Sequence, residues 1–149
     1  MRIALIVTTY NWPEALGLIL ASVRGQSRLP DEVIIADDGS GPATAALVVR
    51  ERTDFPCPLR HVWQEDQGFR VSRARNLAIA ATTCDYLVLI DGDMVLHPRF
   101  IEDHARSARI GSFVQGMRVL TTAAGRELML RERLTRLRFI DAGLRRRRH

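Results

Sequence analysis

An α/β fold with a mostly parallel sheet flanked by helices is predicted by three observations. Short β-rich apolar runs alternate with stretches that place Leu, Ile and Val at helical spacing. The run Tyr86-Leu87-Val88-Leu89-Ile90 carries no charge at any position, as in a strand buried on both faces. Three runs also stop abruptly in residues able to bind a ligand. Ile3 to Val7 ends in Thr8-Thr9-Tyr10-Asn11, Glu32 to Ala36 in Asp37-Asp38-Gly39-Ser40, and Tyr86 to Ile90 in Asp91-Gly92-Asp93. In a parallel sheet these ends share one edge, where ligands of open α/β sheets bind.

Each element has its own signal. After the first strand, Pro13 suits the first turn of a helix, and Leu16, Ile19, Leu20 and Val23 form one apolar face. Gly25 and Pro30 mark its end. The second strand, Glu32 to Ala36, leads to a helix that Pro42 opens and that runs to about Arg52. A third strand is expected over Leu59 to Gln64, then a loop over Glu65 to Arg70. A helix rich in Ala and Arg follows over Val71 to Ala81. Beyond Asp93, a short helix is expected from Pro98 to about Ser107, a strand over Ser112 to Leu120, and a helix over Arg126 to Phe139. That last helix would have Leu130, Leu134 and Leu137 on one side.

At 149 residues the chain fits one domain with a core of its own. Its apolar runs are too short to cross a bilayer or to serve as a secretory leader, so a cytoplasmic protein is expected. Cys57 and Cys84 have no metal-binding spacing and read as ordinary thiols. His61, His97 and His104 form no ligand pattern either. All 22 basic residues are Arg, which excludes a Walker A phosphate loop. Eight of them fall between Arg131 and Arg148, against Glu132 and Asp141, so the net charge of +5 is a C-terminal patch on a nearly neutral body. A solvated tail explains such a patch, and so does contact with an anionic membrane; no nucleic-acid partner is expected.

The acidic strand ends carry the chemistry. Asp91 and Asp93 would repel each other unless a cation or a donor lies between them. Oxygen ligands of this kind suit Mg²⁺ or Mn²⁺, often shared with phosphate. A polar turn explains any single strand end, but three on one edge favour a shared crevice.

The succession Val7-Thr8-Thr9-Tyr10-Asn11, Ser22-Val23-Arg24-Gly25-Gln26, Pro30 to Ser40, Gly68, Ala74-Arg75-Asn76 and Asp91-Gly92-Asp93 resembles the family 2 glycosyltransferases of the GT-A fold. The resemblance covers Ile3 to about Leu120. It implies a Rossmann-like GT-A sheet, here truncated, that binds a nucleotide-diphosphate sugar, with UDP the expected carrier. Thr8 and Tyr10 would border the nucleoside. Asp38 would hydrogen-bond the base with Asp37 in support, and Asp91 would face the ribose or sugar. Asp93, with Asp91 beside it, would bind the divalent metal that bridges the diphosphate. Gly68 to Asn76 resembles a donor-site segment of hexosyl-transferring relatives, so Arg70, Arg73, Arg75 and Asn76 are candidate donor contacts.

The resemblance further implies metal-dependent, inverting transfer to a glycan or lipid-linked acceptor in cell-envelope polysaccharide synthesis. Relatives continue into an acidic motif that supplies the acceptor base. Nothing after Leu120 resembles it, and the later carboxylates Glu127, Glu132 and Asp141 have Arg neighbours. The expected organisation is a donor-binding unit over 1–124 and a helical, Arg-rich segment over 125–149, with the catalytic base unassigned.

Two other classes fit parts of the pattern. Asp91-Gly92-Asp93-Met94-Val95-Leu96 matches the signature of haloacid-dehalogenase-like phosphatases, with Asp91 as nucleophile and Asp93 as acid/base. That family carries the motif on its first strand and uses a later Lys, and this chain has none. A non-catalytic donor-binding or Arg-tail interaction module is the other alternative. Sugar transfer or donor hydrolysis separates it from an enzyme.

Overall fold

The structure, a computed structural model, describes residues 1–136, 144 and 145. Its centre is a four-stranded sheet of β1 (Ile3–Thr9), β2 (Glu32–Asp37), β3 (Leu59–Trp63) and β4 (Tyr86–Asp91). The strands lie in the order β3-β2-β1-β4 and every pair is parallel. Helices connect them: α1 (Pro13–Arg24), α2 (Pro42–Arg52) and α3 (Val71–Ala80). These boundaries lie within two residues of those expected from sequence, the largest difference being β1, which runs to Thr9 rather than Val7.

The topology follows from the handedness of parallel crossovers. The first two connections step outward from β1 to β3, which puts α1 and α2 on one face. The third returns past β2 and β1 to reach β4, which puts α3 on the other. The core divides accordingly. Ile3, Leu5 and Val7 of β1 and Val33 and Ile35 of β2 pack with Leu16, Ile19, Leu20, Leu47 and Val48. Ile6, Ile34 and Ala36 meet Ala74 and Ala78, whose small side chains bring α3 close to the sheet. Both inner strands are buried at every position, and each fully buried Ile or Leu contributes about 1.5–3 kcal/mol.

β4 departs from its sequence reading. Val88 and Ile90 are buried as expected, but Leu89 is 46% exposed. Among the described residues the sheet ends at β4, and α3 lies over β1, β2 and β3 instead. Leu89 therefore has no helix above it.

The region beyond β4 differs more. α4 begins at Phe100 and runs to Ser107. The strand expected over Ser112 to Leu120 is absent; only Leu120–Thr121 (β5) is a strand, paired antiparallel with Leu144–Arg145 (β6). A strand needs a neighbour for its backbone groups, and residues 113–119 have none, so Phe113 and Met117 remain exposed despite their β-favouring context. The last helix, α5, spans Ala123–Glu132 and starts where Thr122 accepts a hydrogen bond from the Gly125 N–H. It ends at Arg133, which is in the left-handed region with φ 51°. Its buried positions are Gly125 and Met129, not the Leu130 side expected. Leu137, Phe139 and the Arg run at 146–148 lie outside the described residues. Among the described residues no helix is long and apolar enough to cross a membrane.

Candidate functional site

The strand order reverses between β1 and β4, which makes their C-terminal edge the topological switch point where ligands of open α/β sheets bind. Register places Thr8 opposite Asp91, Thr9 opposite Asp37, and Asp37 opposite Trp63. The three polar strand ends thus share one edge, as their sequence implied, and β3 adds Trp63 and Gln64 to it.

The loops after β1, β2 and β3 are tied to one another. Asn11, at φ 46°, donates its backbone N–H to Ser40 Oγ at 2.9 Å, and its Oδ1 accepts from the Gly41 N–H at 2.8 Å. Gly39 has φ 99°, and a Cβ there would stand 2.6 Å from the Asp66 Cα, so the loops after β2 and β3 meet only because this residue is glycine. The Tyr10 hydroxyl donates to Asp66 at 3.0 Å, and that bond pushes the phenol pKa up.

Asp37 and Asp38 are 1% and 5% exposed. Asp37 bonds His61 Nε2 at 2.8 Å and accepts from the Ser40 N–H at 2.8 Å. Burial pushes its pKa up, yet the His61 and Ser40 bonds outweigh burial and hold it below the ordinary carboxylate value. Asp38 accepts from the Gln64 amide and, at 2.8 Å, from the Arg70 N–H. Gln64 in turn accepts from Arg73 at 2.7 Å. Asp38 thus pins the entry of α3 to the end of β2.

At β4, Asp91 accepts from Thr8 Oγ1 at 3.1 Å and from Arg75 at 2.7 Å. Gly92 follows, and a Cβ on it would lie 2.5 Å from the Thr8 carbonyl oxygen, so the turn presses directly on β1. Asp93 comes next and is exposed. Arg70 donates to the Glu65 carbonyl at 2.8 Å, while the Nε atoms of Arg70 and Arg75 are buried without a partner. Asn76 is exposed on α3. A cavity of about 310 Å³ beside β3 is lined by Trp63, Gln64, Glu65, Gln67, Arg70, Arg73 and Leu77. Its lining omits Thr8, Asp91 and Asp93, so it lies to one side of the β1 and β4 ends.

The donor chemistry fits a hard cation only in part. Among the described residues no three His, Cys, Asp or Glu side chains gather at one point. Asp93 and the half-exposed Asp91 offer oxygen ligands, and a magnesium-like ion takes one or two carboxylates and completes its shell with water and substrate phosphate. The residues present fit that shared mode and not an all-protein cage.

The model of the glycosyl transferase family 2 matches residues 4–148. The chain belongs to this family. It is 33% identical over 103 residues to a hyaluronan synthase of Pasteurella multocida, which takes in 68% of this chain and 10% of the synthase. TarS of S. aureus, solved in complex with UDP-GlcNAc, superposes with a TM-score of 0.63 at 25% identity over 71% of this chain and 30% of TarS 1-349. The mannosyltransferase PcManGT of Pyrobaculum calidifontis, solved with GDP-Man and Mn²⁺, gives a TM-score of 0.54 at 29% identity over 62% of this chain and 27% of that one. These likenesses place the sheet in the GT-A fold, and the chain spans under a third of each of these proteins.

In this family 2 chain the structure brings Thr8, Asp37, Asp38, Arg70, Arg75 and Asp91 into one bonded edge, with Tyr10, Arg73 and Asp93 at its rim. The partners that sequence reading missed are His61, Gln64 and Arg75 as a clamp on Asp91. The period of two along a strand sets Arg60, Val62 and Gln64 on one face, the face on which Val62 packs with Ala74 and Ala78, and that spacing was the available signal for Gln64. Membership of the family also removes the phosphatase alternative, whose motif belongs on a first strand while Asp91 ends the fourth.

Proposed function

We propose that this chain binds a nucleotide-diphosphate sugar across the ends of β1, β2 and β4 and serves an inverting, metal-dependent transfer of the sugar to a glycan or lipid-linked acceptor. The observation that carries this reading is the bonded pair of Thr8 and Asp91 at the switch point of the sheet, with Asp93 exposed beside it. UDP is the favoured carrier, supported by the likeness to TarS solved with UDP-GlcNAc. Residues 1–124 form the donor-binding unit. The Arg-rich segment 125–149 contacts an anionic membrane from the cytoplasmic side.

The roles divide by exposure. Tyr10 flanks the base, and Asp38, through Gln64 and the Arg70 N–H, shapes the wall against which it rests. Arg70 and Arg75 face the diphosphate; a bound anion relieves the deficit of their unpartnered Nε donors. Arg73 and Asn76 line the sugar side. Asp93 and Asp91 hold the divalent ion, Mn²⁺ or Mg²⁺, which when bound neutralises the diphosphate leaving group. Thr8 and Arg75 orient the Asp91 carboxylate. No acceptor base is assigned, and a transfer lacking one loses ~10²–10⁴ in rate, so residues 1–149 alone bind donor and turn it over slowly.

Calorimetry with UDP tests the reading. Binding is expected with Mn²⁺ or Mg²⁺ present and is expected to vanish with EDTA or in Asp93→Ala. Equal affinity with and without metal would sink the metal bridge. Robust multi-turnover transfer by residues 1–149 would show that one of its own carboxylates acts as base.

A further inference from the structure

Asp93 sits on a stretch without regular structure, residues 93–99, so its position depends on what holds that stretch. One end is set at Gly92, whose lack of a side chain lets the turn press on the Thr8 carbonyl. The other end is held by the last turn of α1 and the residues that follow it. Ser22 Oγ donates to the Ile19 carbonyl at 2.7 Å and accepts from the Leu96 N–H at 3.2 Å. Gln26, 9% exposed, donates its amide to the His97 carbonyl at 2.9 Å and accepts from the Ile101 N–H at 3.1 Å. The Ser27 N–H adds a bond to the Pro98 carbonyl at 2.8 Å. Leu96 is itself buried in the core. Only Asp93, Met94 and Val95 span the gap between the two anchors.

The Gln26 amide has a defined orientation, because turning it over would set its NH₂ against the Ile101 N–H and its oxygen against the His97 carbonyl. Packing alone does not call for an amide here, since an apolar side chain of the same volume fills the same space. What the amide adds is a fixed path for the backbone leaving Asp93. The geometry points to Gln26, together with Ser22, as a positioning residue that holds the Asp93 carboxylate in register with Thr8 and Asp91. This rests on the reading of Asp93 as a metal ligand. Groups that orient a metal ligand without touching the ion typically change metal affinity about 10–100-fold.

The experiment compares wild type, Gln26→Met, Ser22→Ala and Asp93→Ala in the full chain. It measures UDP affinity across a Mn²⁺ titration, uridine affinity without metal, and the thermal midpoint. Gln26→Met is expected to raise the Mn²⁺ concentration needed for UDP binding about tenfold or more while uridine affinity stays unchanged. Ser22→Ala, which removes the Leu96 acceptor and the bond to the Ile19 carbonyl, is expected to shift it in the same direction by less. It carries the same expectation should Gln26→Met fail to fold. An unchanged Mn²⁺ requirement overturns the inference, as does an equal loss of uridine and UDP affinity, which would mark general damage. If Asp93→Ala abolishes metal-dependent binding while the Gln26 and Ser22 variants leave it intact, only the positioning role falls. If Asp93→Ala binds UDP with metal as wild type does, the metal assignment falls and the inference with it.

Discussion

At the end of β2, Asp37 and Asp38 are buried and all four of their carboxylate oxygens have protein partners. At the end of β4, the Asp91 side chain is 47% exposed and held by Thr8 and Arg75, while Asp93 is exposed beyond it. In sequence the two ends look alike, each a pair of carboxylates beside a glycine after an apolar strand. Their surroundings differ because β2 is an inner strand, flanked by β1 and β3, so neighbouring loops close over its end. β4 is the last strand of the described sheet; its loop is held at Leu96 to Pro98 by Ser22, Gln26 and Ser27, and its carboxylates keep part of their surface open. An acidic strand end is therefore a structural latch where loops crowd it and a ligand site where they do not.

The largest expected effect breaks the latch. Asp37→Ala leaves His61 and the buried Ser40 N–H without a partner, and should cost about 3 kcal/mol in the urea unfolding free energy. If it costs no more than Asp93→Ala, the two ends do not differ in the way described.

Next is Gly92→Ala. The added methyl would lie 2.5 Å from a backbone oxygen of β1, and relieving that overlap should cost about 1–3 kcal/mol. It should also weaken metal-dependent UDP binding, because it displaces Asp91 and Asp93. A variant as stable as wild type with unchanged UDP affinity would show that the turn is not pressed against β1.

The acid limb of stability sharpens the same contrast. Asp37 titrates below its ordinary value in the folded state, so its contribution is present in full above the unfolded carboxylate pKa, about 3.9, and disappears as pH falls through the lower folded value. Glu32 is lowered as well: burial pushes it up, but bonds from Thr82, Cys84 and Arg60 prevail. Burial pushes His104 down, so a shallow fall of the urea midpoint should begin below about 6.5, and the steeper carboxylate fall should follow below about 4. That carboxylate fall should be shallower in Asp37→Ala. A wild-type midpoint that rises on acidification would contradict the ionised latch.

The smallest effect on stability belongs to Asp93→Ala, within about 0.5 kcal/mol, as for an exposed side chain that holds nothing in place. The same variant should lose metal-dependent UDP binding altogether. A large stability loss here would mean that Asp93 is part of the scaffold.

The α/β class, the four strands, the helices between them and the acidic edge were legible because apolar period and length report burial, and burial is a local pattern along a strand or helix. Pro13 and Pro42 marked two helix starts for an equally local reason. The same reasoning failed at Ser112 to Leu120, where β-favouring residues have no neighbouring strand to pair with. It also placed α5 slightly late and on the wrong face, because which side of that helix is buried depends on its meeting with α1. The roles of the carboxylates were decided only by tertiary structure. Gln64 and His61 reach Asp38 and Asp37 across more than twenty positions of chain, and Ser22 and Gln26 reach the Asp93 loop across more than seventy. A carboxylate's ionisation and freedom follow from the donors that surround it, and those donors are assembled by the crossover topology of the sheet rather than by adjacency in the chain.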